Sequence, residues 1–470
     1  MKKNNYFSRF IVIWLISFFS LISFDSHAQL SVKGLPVSLS TQNTISPVHE
    51  INAPAPDMDR IWQEIREYDQ PGLPHKIAES VPVDKSLIKN GVCDVFPDGS
   101  LLYRLKIESE GALALTVCFD DFYIPSGGEL FLYNPSKKHV IGAFTSFNNH
   151  GSRTFTTQFV QGDEVILEYF QPHYTDEKAA LHISEIAYAF RDVSFLFDES
   201  KDFGNSDYCE VNINCSEGTN WQEEKRGVVR IELRIGVDWY WCTGSLVNNT
   251  RQDGEPYLLT ADHCGNGAST DDLNNWIFYF NYESPDCSDP GTEGTLADQS
   301  LTGATFVSAS GNQGDSDSDF YLIKLNSSIP SDYEAYYNGW NRSNTAASSG
   351  VSIHHPSGDI KKISTYSTTL VSTEWGTATG SHWQTTWDAT TNGHGVTEGG
   401  SSGSPLFDAQ GRIVGTLTGG SSYCSSPNDP DLYGKMWYHW DQNGGTSTTR
   451  LMDWLDPDNT GATTLDGYDP

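Results

Sequence analysis

Between residues 80 and 195 apolar and polar positions alternate in short runs. The segments "LLYRLKI", "LALTVCF", "ELFLYN", "TFTTQFV" and "VILEYFQP" have the period-two pattern of half-buried strands. Turn residues such as Pro97-Asp98-Gly99 and Ser126-Gly127-Gly128 separate them. Ahead of them, Met58, Ile61, Trp62, Ile65 and Tyr68 fall on helical spacing, with Asp57 as N-cap and Pro71-Gly72 as the stop. The pattern after residue 208 is again one of strands: "GVVRIELRI", "YLLT", "WIFYFNY", "DFYLIKL" and "GVSIHH". Helical spacing returns only at Leu451, Trp454 and Leu455. The chain therefore reads as all-β, and the even strand spacing over 80–195 predicts a β-sandwich. The polar stretch "LFDESKDFGNSDY" (196 to 208) marks a boundary between two parts.

The N-terminus changes the picture of where the protein works. Lys2, Lys3 and Arg9 precede an apolar run from Phe10 to Phe24, and Ser26-His27-Ala28 supplies small residues for cleavage after Ala28. That is the form of an export signal, and the run is short for a bilayer span. A secreted product is expected, with no membrane partner. Eight cysteines in an exported chain without a Cys-x-x-Cys pair read as disulfides rather than metal ligands. Cys93 and Cys118 lie in the first part, and Cys209, Cys215, Cys242, Cys264, Cys287 and Cys424 in the second. Even numbers in both predict that each part closes its own bridges, which would join Cys93 to Cys118. The chain holds 61 acidic against 29 basic side chains, for a net charge of −32. Such a surface repels nucleic acid and attracts cationic ligands.

Candidate chemistry sits in the second part. In "EGGSSGSPLFDAQGRIVGTLTGG" (398 to 420), a Gly-Ser run leads into a strand, a short turn at Asp408–Gly411 and a second strand from Arg412 to Leu417. A flexible linker has no need of that hairpin, so the run reads as a turn presenting a serine. "PYLLTADHCG" places His263 after a buried-looking strand and next to Cys264, and "DSDSDFYLIKL" opens a strand with Asp319. A serine hydroxyl needs a neighbouring base to become a nucleophile, and an imidazole base needs a carboxylate to fix its tautomer. Each motif alone is common in structural settings, but the order His, Asp, Ser makes them support one another.

With "CTGSLVNNT", "SIHHPSG", "DLYGK" and the closing "DWLDP", these motifs resemble the trypsin-like serine proteases, specifically bacterial lysyl endopeptidases, from about Cys209 to Gly467. The resemblance implies a two-barrel, chymotrypsin-like protease domain over 202–470, preceded by a signal peptide (1–28) and a β-sandwich-like prodomain (29–201). It casts His263 as general base, Asp319 as orienting carboxylate and Ser402 as nucleophile. The Gly400 and Ser402 N–H groups would form the oxyanion hole, and Thr418-Gly419-Gly420 the edge that pairs with substrate. It pairs Cys209 with Cys424, Cys215 with Cys287 and Cys242 with Cys264, one of fifteen connectivities the second part allows. Trp375 falls where the family carries an aromatic beside the histidine, and Thr418 where these enzymes can carry a histidine. The resemblance calls for no cofactor and no metal; His354, His355 and His394 lack ligand spacing.

Specificity for a cationic side chain requires a carboxylate in the pocket. The position six residues before the nucleophile is Val396, which cannot serve, and Glu398 lies in the turn. Asp431 matches the specificity aspartate of the lysyl endopeptidases. The expected activity is cleavage of polypeptides after accessible lysines, with the enzyme made as a zymogen whose own prodomain inhibits it or aids its folding. Cleavage at Lys201-Asp202 would release it. Broader Lys/Arg preference, a protease-fold binding protein and a retained surface-binding module are the alternatives; the complete triad speaks against the second.

Overall fold

The strand Lys76–Ser86 determines how the two parts meet. It pairs on one side with Ala180–Ala189 and on the other with Asp238–Leu246, which lies in the second part. The computed structural model describes residues 34–40, 45–68, 74–191, 193, 206–289 and 299–470. The export signal and the Lys201-Asp202 bond lie outside the described residues.

The first part packs two sheets over one core. One runs His49–Asn52, Leu101–Glu108, Glu164–Gln171, Glu129–Tyr133, Val140–Phe144, with Val92–Val95 beside Leu101–Glu108. The other contains Ala114–Tyr123, Ala180–Ala189 and Lys76–Ser86. Leu105, Ile107, Val165 and Leu167 from one meet Val117, Phe119, Ile183 and Ile186 from the other. This is not a free-standing sandwich, because the second sheet continues without a break into the second part as one twelve-stranded sheet. Ile77, Ala78, Ala187 and Ala189 share a core with Trp239, Trp241, Ile277 and Tyr279 across that seam.

The strand at the seam was illegible in the sequence for a physical reason. "KIAESVPVDKS" carries four ionisable side chains and Pro82, features that disfavour a central strand. The structure satisfies them individually. Lys76 Nζ reaches Asp238 at 2.6 Å and Glu79 at 3.0 Å. Pro82 sits opposite Glu185 at a register shift, beyond the reach of the pairing with Asp238–Leu246. The helix Met58–Tyr68 forms as its spacing predicts, and Asp57 Oδ1 accepts the Arg60 N–H at 3.1 Å.

The second part has two groups of strands. Ser300–Thr302, Ile277–Tyr279, Val228–Ile235, Asp238–Leu246, Tyr257–Thr260, Tyr321–Leu325 and Ala304–Ala309 pair in that order around one core. A nine-stranded sheet, with Gly350–His354, Pro405–Asp408, Arg412–Gly420, Asp431–Lys435 and His382–Thr385 consecutive in its order, forms the other. Cys209–Cys424, Cys215–Cys287 and Cys242–Cys264 are bridged. Cys93 and Cys118 are not. Cys93 is exposed on the six-stranded sheet, whereas Cys118 is buried in the core shared across the seam, so the even count misled.

Candidate active site

His263 lies on the short helix Asp262–Gly265, which follows the strand Tyr257–Thr260. Its Nδ1 is 2.7 Å from Asp319 Oδ2, and its backbone N–H donates to Asp319 Oδ1 at 2.9 Å. The double contact fixes both the ring and its tautomer. Burial pushes the Asp319 carboxyl up, but the charge of His263 and hydrogen bonds from His263 and Thr418 outweigh it and hold the group below its usual range. Asp319 has φ +61°, in the left-handed region that few non-glycine residues adopt. The loop before it is tied down by carboxylates. Asp317 accepts the Asn312, Gly314 and Asp319 N–H groups, and Asp262 those of Gly311 and Gln313. The buried Asp262 carboxyl is itself pushed up to about 7, by desolvation first and then by the charges of Asp319 and Asp317.

Ser402 sits on the turn before the strand Pro405–Asp408 and is 2 % exposed. Its carbonyl accepts the Thr243 N–H at 2.8 Å, and Cys264 Sγ lies 3.8 Å from the same oxygen. The Cys242–Cys264 bridge therefore ties the histidine loop to the serine turn. His263 Nε2 is buried and has no hydrogen-bond partner among the described residues. Gly400 has φ +95°, and a Cβ there would fall 2.8 Å from the Gly358 nitrogen. Among the described residues, neither the Gly400 nor the Ser402 N–H donates to a protein acceptor. A nucleophile, a base with an open lone pair and two free N–H groups are the components that acyl transfer requires.

Thr418 and Gly419 lie on the strand Arg412–Gly420. Asp431 begins the adjacent strand and is fully buried. Its Oδ2 accepts from Ser422 Oγ (2.6 Å), Trp387 Nε1 (2.7 Å) and Thr397 Oγ1 (2.8 Å), while among the described residues Oδ1 receives only the Ser422 N–H at 3.2 Å. Burial pushes the carboxyl up, and these donors offset part of that rise. A Cβ on Gly420 would stand 2.0 Å from Oδ1, so only glycine leaves that oxygen room. Val396 is core, and Glu398 accepts from the Asp207 N–H and Ser357 Oγ. Trp375 Cδ1 lies 3.1 Å from a Cβ built on Gly314, a position also bordered by Asp319 and Thr418, so this aromatic does stand at the site.

Five histidines outside the triad were not read from sequence as part of the site. His354 Nδ1 is 2.8 Å from Ser401 Oγ and its Nε2 3.0 Å from Ser364 Oγ, which braces the serine turn from behind. His355 Nδ1 donates to the Asp359 carbonyl at 2.9 Å. These two are thus engaged by different partners, and His394, half-buried, contacts the Gly395 carbonyl. His382 contacts Thr418. His75, from the first part, lies over Gly399, where an added Cβ would be 2.4 Å from its ring. Beside it, Glu64, Glu67, Pro74 and Lys76 of the first part and Asp238, Tyr240, His263 and Gln313 of the second line one cavity of about 610 Å³.

Comparison with known proteins agrees with this geometry. The family model described as lysyl endopeptidase, C-terminal domain, matches residues 203–434. A curated lysyl endopeptidase of Pseudomonas aeruginosa strain PAO1 is 28% identical over 366 residues, spanning 70% of this chain and 71% of that protein. Two solved structures align weakly: a serine endoprotease from Yersinia pestis (16% identity, TM-score 0.30, 47% of this chain and 62% of that one) and an HtrA-type protease with a tripeptide (15%, 0.31, 47% and 60%). The chain thus spans less than two thirds of either solved chain. The all-β fold, the site and the sequence matches define a serine endopeptidase. Its second part resembles the lysyl endopeptidases. Three disulfides fit an oxidising compartment, and among the described residues no helix is long and apolar enough to cross a membrane.

Proposed function

We propose that this endopeptidase cuts on the carboxyl side of lysine and is held inactive by its own first part until that part is removed. The observation that carries the specificity is Asp431: a fully buried carboxylate with three donors on Oδ2 and only the long Ser422 N–H bond on Oδ1 among the described residues. A lysine ammonium is a compact charge that one oxygen can meet, whereas the planar fork of arginine needs a second acceptor and more width. The name of the Pseudomonas aeruginosa relative supports the same choice.

In this reading His263 Nε2 takes the proton of the Ser402 hydroxyl as its oxygen attacks the carbonyl carbon after lysine. Asp319 holds the Nδ1–H and stabilises the imidazolium. The oxyanion accepts hydrogen bonds from the Gly400 and Ser402 N–H groups. The imidazolium then gives its proton to the departing amine, leaving an acyl ester on Ser402, and water repeats the sequence to release the acid. Inhibition follows from placement, since His75 lies over Gly399 and the helix Met58–Tyr68 helps wall the cavity at His263.

The test is kcat/KM on matched lysine and arginine peptides, with the N-terminus of the secreted enzyme sequenced alongside. Lysine should be preferred by at least tenfold, and the N-terminus should fall after residue 191. Equal rates would give a trypsin-like enzyme, and an active product starting near Gln29 would end the zymogen reading.

A further inference from the structure

We infer that His382 is a positioning residue of the catalytic centre, acting through the Thr418 hydroxyl on Asp319. The inference rests on the triad reading above and goes beyond it, because among the described residues His382 hydrogen-bonds neither Asp319 nor His263 and reaches them only through Thr418.

The strand Arg412–Gly420 runs against Asp431–Lys435 with a register shift between Leu417 and Gly419, so Thr418 stands at an irregularity. Such bulges turn a side chain out of its regular direction. Thr418 borders Asp319: a Cβ built on Gly314 would stand 3.4 Å from the Thr418 Cγ2 and 3.5 Å from the Asp319 Cβ, and the threonine hydroxyl is among the groups that hold the Asp319 carboxyl down. On its other side, Thr418 Oγ1 is 3.0 Å from His382 Nε2, and His382 Nδ1 is 2.6 Å from Ser381 Oγ. His382, Ser381 and Thr418 are all buried.

These contacts have one consistent polarity. An ionised Asp319 only accepts, so Thr418 must donate to it. The Thr418 oxygen is then an acceptor, which requires the proton of His382 on Nε2. Nδ1 is left as an acceptor, and Ser381 Oγ donates to it. Burial lowers the His382 pKa to about 4, so the ring is neutral at working pH and holds this single tautomer. A rotating hydroxyl alone could donate to other neighbours. With His382 donating into its lone pair, the threonine proton is directed to Asp319, where it adds to the two donors from His263. The triad carboxylate thereby has a third fixed donor, and the imidazole it orients has less freedom.

The test compares enzymes matured from full chains carrying His382→Leu, His382→Gln, Thr418→Val and the Thr418→Val/His382→Leu pair. His382→Leu should lower kcat about tenfold with KM little changed, the size expected for one lost hydrogen bond. His382→Gln offers an N–H near the Nε2 position and should recover most of the loss. The double variant should match Thr418→Val alone, because His382 acts only through that hydroxyl. Additive losses, no rescue by glutamine, or full activity in His382→Leu would overturn the inference. Should His382→Leu fail to fold, Ser381→Ala carries the test: a few-fold loss of kcat is expected with Thr418 present and none in the Thr418→Val background, and equal losses in both overturn it. Ser402→Ala in the same assay keeps the two readings apart. Retained hydrolysis there defeats the triad itself, whereas its loss beside a fully active His382→Leu defeats only the positioning role.

Discussion

Replacing Asp431 by Asn removes one charge from a fully enclosed position, and the structure sets the size of the effect. Oδ2 faces three donors at 2.6–2.8 Å, so the asparagine oxygen must take that place. The NH2 group then occupies the Oδ1 position, facing the Ser422 N–H. A lysine ammonium entering there meets a donor instead of a carboxylate. Leaving one partner of a buried ion pair uncompensated costs roughly 3–5 kcal/mol. That corresponds to a loss of about a hundred- to a few-thousand-fold in kcat/KM on lysine peptides. Because the proposed function places Asp431 in the pocket and not in the triad, Ser402 should still react with a small neutral phosphonylating reagent at a rate within a few-fold of the parent. Both rates measured on one preparation check the expectation. Lysine cleavage unchanged in Asp431→Asn would remove Asp431 as the determinant, and equal loss of both rates would point to misfolding of the site.

Cys242→Ser with Cys264→Ser opens a bridge spanning 22 residues, which should destabilise the enzyme by about 3 kcal/mol, read as a lower Tm, and lower kcat by loosening the His263 loop against Ser402; an unchanged Tm and kcat would deny the bridge that role. Gly400→Ala forces a side chain into φ +95° against the His355–Gly358 loop and should cost about a hundredfold in kcat by displacing an oxyanion donor, while a kcat near the parent's would place that donor elsewhere. Glu232, buried beside Thr116 of the first part and Tyr279, has its carboxyl pushed from 4.5 up to about 7 by desolvation, despite the Tyr279 hydrogen bond and Arg230. A raised carboxyl pKa favours the folded state at low pH, so this contribution is full below pH 4.5 and is lost as pH rises through 7. The uncut chain should lose about 3 kcal/mol over that window in urea unfolding and Glu232→Gln should not; equal slopes in both would refute the assignment.

The motifs of the candidate site stand out in the sequence because each is short and local: a strand followed by His263, a strand opened by Asp319, a glycine turn around Ser402. Burial patterns likewise announced strands such as Leu101–Glu108 and Val228–Ile235. Asp431 and the three bridges required the resemblance, since their partners lie up to 215 residues away. Counting cysteines failed for Cys93 and Cys118 because parity carries no information about which sheet a thiol enters. Long-range polar contacts left no local mark at all. His382 reads as a histidine in an ordinary strand, and only the fold brings it 3.0 Å from Thr418, 36 residues on. His75 precedes a strand whose first residue, Lys76, is met by Asp238 of the other part, so neither its position nor its cover over Gly399 could be read from its neighbours.

Mass mapping of the adduct left by a fluorophosphonate reagent tests the central claim most directly, applied to the uncut chain and to the matured enzyme. The account predicts a single adduct on Ser402, absent in Ser402→Ala and in His263→Ala, and formed much faster after the first part has been removed. An adduct on a different residue of the matured enzyme, or hydrolysis that survives Ser402→Ala, would contradict it.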